Sequence, residues 1–328
     1  STVASGDYVQ TRAEGFAYQV AASGAVDQHV TTAGGVKLSV LPNNGKISLA
    51  QFNASILGYA NVAPQIQALF NLAASIGVTA TIPAGLYGIR STVIVPAGLK
   101  VVWAEGAKVR PIGAVSPMFL NGAVGGTFAG RSANGNIKWS GGVLDANAVT
   151  TTCLAFGKAE NIHVSGVTFK NVANSHFVEF NGVKTGSVRG CKFENMTDTS
   201  GTRAFSEAIN IDFAGDYAQF PYWNAASFDG TVCDGIEIEG NDFRDCLVSI
   251  GAHGYTTHGD GTVATMSRGV RISNNSHTNN GLNTTGPQSD AIHIDGFLGT
   301  VVANETILNV KNNGVRIDES LAFTISNI

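Results

Sequence analysis

Acidic side chains recur in three similar stretches of the chain, and their spacing could support acid–base chemistry. The stretches are residues 206–213, 289–296 and 314–319, and in each of them an apolar residue alternates with a polar one. A period of two is typical of a strand with one buried face. We therefore expect three strands whose outward side chains include the carboxylates Asp212 and Asp295.

Stacked strands would arrange the outward side chains in columns. The sequence predicts two of them, which hold Glu179, Asn210, Ser249, His293 and Arg316 in one and Asn181, Asp212, Gly251, Asp295 and Asp318 in the other. Paired strands lie about 4.8 Å apart, so Asp318 would be one step from Asp295, and Asp212 would face Asp295 at about 9.6 Å across Gly251. The first spacing is near the ~5–5.5 Å of a retaining glycosidase and the second is near the ~9.5 Å limit of an inverting one.

Three further residues are candidates for catalysis. Glu207 and Asp290 have the parity of buried residues, so we expect each in the turn before its strand, from which the carboxylate could reach the groove. His253 has outward parity and could protonate a leaving group or hold a carboxylate. In the same groove Asn210, His293 and Arg316 are predicted to bind substrate.

Aromatic residues are concentrated in an insertion near residues 213–232. The predicted sugar-binding set consists of Tyr217, Phe220, Tyr222 and Trp223, with Tyr255 from a second insertion near residues 253–266. Exposed aromatic rings stack on the apolar faces of sugars. The alternative is a loop that packs its own small core.

The composition favours strands and excludes two classes of partner. With 40 Gly, 8 Pro and 13% charged residues, the chain is unlike a helical protein. A net charge of −4 without a basic cluster argues against nucleic acid. No apolar run reaches the ~18 residues of a membrane helix. The sparse cysteines, interpreted as buried small hydrophobes, are Cys153, Cys191, Cys233 and Cys246.

The elements that would position these residues form a repeat. Apolar residues at Ile66, Leu69, Phe70 and Ala73 predict one amphipathic helix beginning near Pro64, which would cap the first repeat. Strand centres then recur with a base period of about 23–24 residues, lengthened by insertions. The aligned centres are Phe156, Phe180, Ile211, Ile250, Ile294 and Ile317.

These repeats hold no leucine-rich frame and no helical segment, which leaves a β-helix. The predicted fold is all-β: a single-stranded right-handed parallel β-helix with an N-terminal capping α-helix. Asn241 and Asn275 occupy matching positions and predict a structural ladder of amide side chains. Residues 1–46 are predicted to form an attachment arm and residues 47–328 the β-helix, and a strand-like end at residues 323–328 suggests that the solenoid continues.

The stretches T-I-P-A-G-L-Y-G-I and V-P-A-G-L, with the stacked strands, resemble the pectin-lyase-like superfamily of right-handed parallel β-helices over roughly residues 48–328. The usual D-G-x-x-D-D motif before the cap helix is replaced by residues 55–60. The arm, with residues 31–38, is similar to the neck of bacteriophage tailspikes. This resemblance implies a homotrimer that binds, and often cleaves, bacterial surface polysaccharide.

Two narrower likenesses involve the acidic face. Residues 207–212, 228–233 and 250–253 resemble a motif set of β-helix proteins from bacterial and phage surfaces. Residues 210–212, 251–254 and 316–317 resemble polygalacturonases, although the paired-aspartate motif of those enzymes is missing. Both likenesses direct attention to the same face.

The expected function is an endo-acting depolymerase of bacterial surface polysaccharide, which hydrolyses glycosidic bonds with outer-face carboxylates. One alternative is a lyase acting on a uronate, in which Arg316 or a bound Ca²⁺ would neutralise the substrate carboxylate. The other is a glycan-binding adhesin without catalysis. Hydrolysis needs no metal or cofactor. The expected location is extracellular, on a virion tail or as a secreted bacterial protein, with no insertion into a membrane.

Overall fold

The computed structural model describes residues 3–128, 130–201, 206–215, 220–252, 256–257, 263–282 and 290–328, without the side chains of residues 256–257 and 263–264. Four short strands near the N-terminus form an antiparallel sheet in the order β1-β2-β4-β3. They are β1 (Tyr8–Gln10), β2 (Ala17–Val20), β3 (Val30–Thr31) and β4 (Lys37–Val40). Tyr18 and Leu38 of this sheet join the same hydrophobic core as Ile47, so the predicted arm packs against the rest of the chain.

The remaining strands follow in chain order. They are β5 (Lys46–Ser48), β6 (Leu57–Asn61), β7 (Thr79–Ile82), β8 (Gly85–Ile89), β9 (Val93–Ile94), β10 (Lys100–Trp103), β11 (Ala107–Pro111), β12 (Phe119–Leu120), β13 (Ile137–Ser140), β14 (Val143–Asp145), β15 (Leu154–Gly157), β16 (Glu160–Ser165), β17 (Thr168–Ala173), β18 (Val178–Asn181), β19 (Lys184–Arg189), β20 (Lys192–Thr197), β21 (Glu207–Asp212), β22 (Asp234–Glu239), β23 (Asp242–Arg244), β24 (Val248–Gly251), β25 (Thr256–Thr257), β26 (Val263–Thr265), β27 (Ser267–Arg268), β28 (Arg271–Ser273), β29 (Ser276–Thr278), β30 (Ile292–Asp295), β31 (Phe297–Leu298), β32 (Val301–Ala303), β33 (Thr306–Leu308), β34 (Val315–Asp318) and β35 (Thr324–Ser326). Short 3₁₀ helices cover Leu49–Phe52, Ser132–Asn134 and Ala225–Ser227.

These strands build three long parallel sheets. Sheet 1 runs from β5 through β7, β10, β13, β16, β19, β22, β28 and β32 to β35, with β27 and β31 beside it. Sheet 2 runs from β6 through β8, β11, β14, β17, β20, β23 and β29 to β33, and sheet 3 runs from β9 through β12, β15, β18, β21, β24 and β30 to β34. Each coil of the chain adds one strand to each sheet, so the predicted right-handed parallel β-helix is confirmed.

Helix α1 (Ala63–Ser75) closes the first coils as predicted. Its four predicted stripe residues are all fully buried. Phe70 meets Trp139 edge-on with ring centroids 6.0 Å apart. Each such buried side chain stabilises the fold by about 1.5–3 kcal/mol. Within the described residues, neither this helix nor any other is long and apolar enough to cross a membrane.

Side-chain ladders tie successive coils together. The backbone N–H and the amide of Asn241 both donate to Oδ1 of Asn275 at 2.9 Å, and Asn275 donates to the carboxylate of Glu305. The predicted asparagine ladder is therefore confirmed, with Glu305 as an additional rung. Inside sheet 2, Phe193 and Phe243 stack at 4.7 Å between ring centroids. The four cysteines are buried and free, as interpreted from the sequence.

The predicted register of sheet 3 is correct at its ends and wrong in its centre. Phe180 pairs with Ile211, and Ile294 pairs with Ile317, as expected. Ile250, however, pairs with Ile209 and with Ile292, two residues from the predicted partners. A slip of two residues keeps every side chain on its face, so the hydrophobic pattern cannot exclude it. The base period cannot fix the register of β24, because insertions on both sides of this strand lengthen its distance in sequence from the strands before and after it.

Candidate active site on the outer face of sheet 3

The corrected register changes both predicted columns, because Gly251 takes the place predicted for Ser249 in the column of Asn210. Asn210 pairs with Gly251, and His293 pairs with Arg316. Gly251 therefore belongs to the column of Asn210 and His293, and it does not lie between Asp212 and Asp295. Asn181 still pairs with Asp212.

Asp295 and Asp318 form the accessible carboxylate pair of this face. They are paired on β30 and β34, which places their backbones about 4.8 Å apart. Asp318 Oδ2 accepts hydrogen bonds from His293 Nε2 at 2.9 Å and from Arg316 Nε at 2.7 Å. These four residues are the candidate site, and the structure brings them together as the sequence suggested.

The two carboxyl groups of the pair have opposite pKa shifts. Burial raises the pKa of Asp295 to about 6, and Asp318 and Glu319 add to this effect against His293 and Arg316. Burial also tends to raise the pKa of Asp318, but the hydrogen bonds from His293 and Arg316 outweigh it and lower that pKa. Oδ1 of Asp295 is buried and has no hydrogen-bond partner among the described residues. The pair therefore holds one readily protonated acid beside one stable carboxylate.

Asp212 and Asn210 are not exposed, contrary to the prediction. Both are almost completely inaccessible, and the Asn210 amide donates to Asp212 Oδ2 at 3.0 Å. Strand alternation does direct these side chains away from the solenoid core. The outer face of sheet 3 is therefore covered at these two residues.

Glu207 and Asp290 are also buried, and neither extends into an open groove. Glu207 lies in β21 and not in a turn, and its Cγ is 2.8 Å from the position that a Cβ on Gly251 would take. It thus fills the notch that the glycine was expected to open. Asp290 precedes β30 as predicted, but its Oδ1 accepts two hydrogen bonds from Asn313, at 3.0 Å from the backbone and 2.9 Å from the amide. Its role in the structure is to join successive coils.

The rings of the aromatic insertion that the structure describes as a cluster, Phe220, Tyr222 and Trp223, form a small core and are not exposed for stacking on sugars. Phe220, Tyr222 and Trp223 are buried against Phe128 and Ala155 on the outer face of sheet 3. Trp223 stacks on Phe128 with ring centroids 4.7 Å apart. The expectation of exposed rings is therefore wrong for these three residues, and the alternative of a small loop core is correct. The other candidates Tyr217, His253 and Tyr255 lie outside the described residues.

Two polar residues at this face were missed from the sequence. His176 Nδ1 is 2.9 Å from the backbone oxygen of Glu207 and 3.6 Å from its Oε2. Thr152 accepts a hydrogen bond from the hydroxyl of Tyr222 at 2.9 Å. Thr152 precedes β15 and His176 precedes β18, both strands of sheet 3. Glu207 was predicted to occupy the same position of the coil, in the turn before its own strand. Aligning the residues before each strand would have found them.

A cavity of about 520 Å³ is lined in part by residues of the C-terminal coils. Its lining includes Arg131, Arg268 and Leu298, the last only three residues after Asp295. The Arg131 guanidinium donates to the backbone oxygens of Gly182 and Val232. In the part of the chain that the structure describes, no three His, Cys, Asp or Glu side chains are grouped so that they could hold a metal ion.

No family model and no curated protein matches this sequence. Solved structures do match. PfbA, a surface adhesin of Streptococcus pneumoniae, has a TM-score of 0.67 and 18% identity, over 86% of this chain and 77% of that one. A second PfbA structure gives 0.66 and 20%, over 79% of this chain and 66% of that one.

WceF of Pantoea stewartii, a glycan biofilm modifying enzyme with a bacteriophage tailspike-like parallel β-helix fold, has a TM-score of 0.53 and 10% identity. The match covers 93% of this chain and 44% of WceF, so the chain spans less than half of that enzyme. Likeness at these identities concerns the fold. The chain is a parallel β-helix protein of the same architecture as PfbA and WceF.

Proposed function

We propose that the chain is an endo-acting depolymerase that hydrolyses a bacterial surface polysaccharide. The observation that carries this proposal is that two carboxyl groups on neighbouring strands have opposite pKa shifts. The pKa of Asp295 is raised to about 6, and the pKa of Asp318 is lowered. Glycoside hydrolysis needs one protonated acid and one carboxylate on the same groove. The spacing of one strand step is near that of a retaining enzyme.

In the proposed mechanism Asp295 gives its proton to the glycosidic oxygen as the bond from the anomeric carbon to that oxygen breaks. Asp318 attacks the anomeric carbon and forms a glycosyl ester. Both hydrogen bonds from His293 and Arg316 end on Oδ2 of Asp318. They would orient the carboxylate so that Oδ1 attacks. A water molecule then releases the sugar, and Asp295 accepts the proton of that water.

The mechanism fixes the pH dependence of cleavage. Asp295 must be protonated in the first step, so the rate is expected to fall as pH rises through about 6. Asp318 must be ionised, so the rate is expected to fall again only in acid, below the ordinary pKa of an aspartate. The profile of kcat/KM against pH should therefore be bell-shaped with its maximum below pH 6.

The proposed substrate and location are supported by the kinds of protein that share this fold. WceF is described as a glycan-modifying enzyme, and PfbA as a surface protein and adhesin. The cavity lined in part by Leu298 is large enough to hold a sugar unit. We place the protein outside the cell, as a homotrimer on a virion tail or as a secreted bacterial protein.

A non-catalytic glycan-binding adhesin is the second candidate. It is favoured by the two donors that contact Asp318, because a carboxylate hydrogen-bonded to both His293 and Arg316 is a weaker nucleophile. The same cluster would then bind sugar hydroxyls. The PfbA likeness, which concerns the fold, agrees with either function.

Purified bacterial capsular polysaccharides incubated with the protein test the proposal. Size-exclusion chromatography should show shorter chains together with new reducing ends and no new ultraviolet absorbance. Shorter chains that absorb in the ultraviolet would establish the lyase alternative, in which the proton beside a uronate carboxylate is removed and Arg316 or a bound Ca²⁺ neutralises that carboxylate. Unchanged chain length with saturable binding would establish the adhesin.

A further inference from the structure

A second cavity, of about 380 Å³, lies on the outer face of sheet 1 and has no part in the chemistry of sheet 3. Its lining includes His163 on β16 and Ser187 on β19, which are direct partners in the parallel register. His163 Nδ1 and Ser187 Oγ are 2.8 Å apart. If the serine hydroxyl donates, the imidazole carries its proton on Nε2, and its Nδ1 is the acceptor.

A hydroxyl bonded to an imidazole is the arrangement that activates a serine nucleophile. His163 is suited to the base role because burial, Lys138 and Arg189 lower its pKa against the opposing effect of Glu237. The imidazole is therefore mainly neutral at pH 7 and able to accept a proton. Lys138 and Arg189 lie on the two strands beside β16, and Glu237 lies on β22, one strand further on.

The strand on the other side of Ser187 supplies charge to the same cavity. Glu237 is the register partner of Ser187 on β22, and it forms an ion pair with Arg189. Arg189 lies two residues after Ser187, so both side chains are on one face of β19. Half of the Arg189 side chain is exposed, and this cation would stabilise negative charge that develops in the cavity.

We propose that Ser187 and His163 form a hydrolytic site for acyl esters on sugars, such as O-acetyl groups. Ser187 Oγ attacks the carbonyl carbon while its proton passes to Nδ1 of His163. The carbon–oxygen bond to the sugar breaks, and the sugar oxygen takes that proton. Water then attacks the acyl-serine with His163 as base, which releases a carboxylic acid and restores the serine.

The same sheet offers a matched control. Ser140 and Ser165 are paired on β13 and β16, with their hydroxyls 3.1 Å apart, but the hydrogen-bond partner of Ser140 is another serine and not an imidazole. Ser140→Ala removes a hydroxyl from the same outer face without touching His163. It should therefore leave any ester hydrolysis unchanged.

The test measures release of acetate from glucose pentaacetate and hydrolysis of 4-nitrophenyl acetate. Ser187→Ala and His163→Gln should each lower the rate by at least about 100-fold. The wild-type rate should rise with pH and reach half of its plateau below pH 6.5, because the base is the neutral imidazole. Phenylmethylsulfonyl fluoride should add one sulfonyl group to the peptide that contains Ser187.

A wild-type rate no higher than that of Ser187→Ala would overturn the proposal, as would sulfonyl labelling that is absent from the Ser187 peptide. Asp295→Asn should keep the full esterase rate. Ester hydrolysis and polysaccharide cleavage use different residues, so either activity can be lost without the other.

Discussion

Asp295 differs from Asp318 because of what surrounds each carboxyl group, since the two residues are paired on neighbouring strands. Asp318 accepts hydrogen bonds from His293 and Arg316 on one oxygen, whereas Oδ1 of Asp295 is buried without a donor among the described residues. One environment stabilises the charged form and the other disfavours it. This difference, and not the number of carboxylates, is what makes the pair suitable for acid–base chemistry.

The raised pKa of Asp295 also predicts a cost in stability. The folded state binds its proton more tightly than the unfolded state, with a pKa of about 6 against an ordinary 3.8, so the free energy of unfolding falls as pH rises between these values. Asp295→Asn has no carboxyl group to ionise at this position, so it does not undergo this fall in the free energy of unfolding. The variant should melt about 1–3 °C above the wild type at pH 8, a small gain because the carboxyl is only partly buried, and close to it at pH 4.

Thermal unfolding of both proteins by circular dichroism at the two pH values measures this difference. Comparing variant with wild type at each pH cancels the titration of other groups. A variant that is less stable than the wild type at pH 8 would show that the ionised carboxylate is stabilised in the fold.

The sequence predicts the pairing of candidate residues correctly where no insertion interrupts the repeat between their strands. β30 and β34 are separated by one base period, so parity and spacing alone paired His293 with Arg316 and Asp295 with Asp318. Asp212 could be placed on the correct face of its strand, but its burial could not be predicted from parity. The alternation of residues along a strand determines the face on which a side chain lies. Whether that side chain is exposed to solvent depends on what packs over the face.

At the scale of elements, the first insertion is a lid of hydrophobic side chains on the outer face of sheet 3. Trp223 lies directly over Gly157 of β15, and a Cβ at this glycine would be 1.6 Å from an indole carbon. The strand therefore needs a residue without a side chain at this position. The aromatic composition of the loop was visible in the sequence, but its docking site on β15 was not.

Gly157→Ala should displace Trp223 and loosen the insertion. We expect a loss of about 1–3 kcal/mol in the free energy of unfolding, because a methyl group is forced into a filled space, and a red shift of tryptophan fluorescence. Urea unfolding and emission spectra measure these effects. Gly130→Ala is the matched control because a Cβ there meets nothing within 4 Å. Equal behaviour of the two variants would contradict this account of the insertion.

The amide ladder makes a second prediction at this scale. Asn275 accepts from Asn241 and donates to Glu305 and to the backbone oxygen of Ile238, and all of these groups are buried. Asn275→Ala leaves several of them without partners and should lower the free energy of unfolding by about 1–3 kcal/mol.

Chemical denaturation tests the ladder, with Thr306→Ala on the exposed side of β33 as the control. That substitution should change the free energy of unfolding by less than about 0.5 kcal/mol. If Asn275→Ala costs no more than the control, the ladder does not stabilise the stack of coils.

At the scale of the whole molecule, the parallel β-helix follows from the repeat of short alternating strands about one coil apart. The fold, the cap helix and the ladder could all be predicted because each depends on local periodicity repeated many times. The register around β24 and the loop core could not, since both depend on insertions that interrupt the period. The catalytic proposal therefore rests on the C-terminal coils, where the repeat is regular.

The similarity of the N-terminal arm to a tailspike neck predicts a homotrimer. Sedimentation velocity should give a species of about three times the 34.0 kDa chain. The arm already packs on the first coils through Tyr18, which donates to the backbone oxygen of Gln51 at 3.2 Å. A single species with the mass of one chain at micromolar concentration would contradict the prediction.

The release of reducing ends from a cleaved capsular polysaccharide tests the central claim most directly, when wild type, Asp295→Asn and Asp212→Asn are compared at pH 5.5. Asp295→Asn should lose at least about 100-fold in rate because the acid is gone, whereas Asp212→Asn should stay within a few-fold of wild type, provided that circular dichroism shows both variants folded. Loss of cleavage in Asp212→Asn with full activity in Asp295→Asn would contradict the account and place the chemistry beneath the insertion.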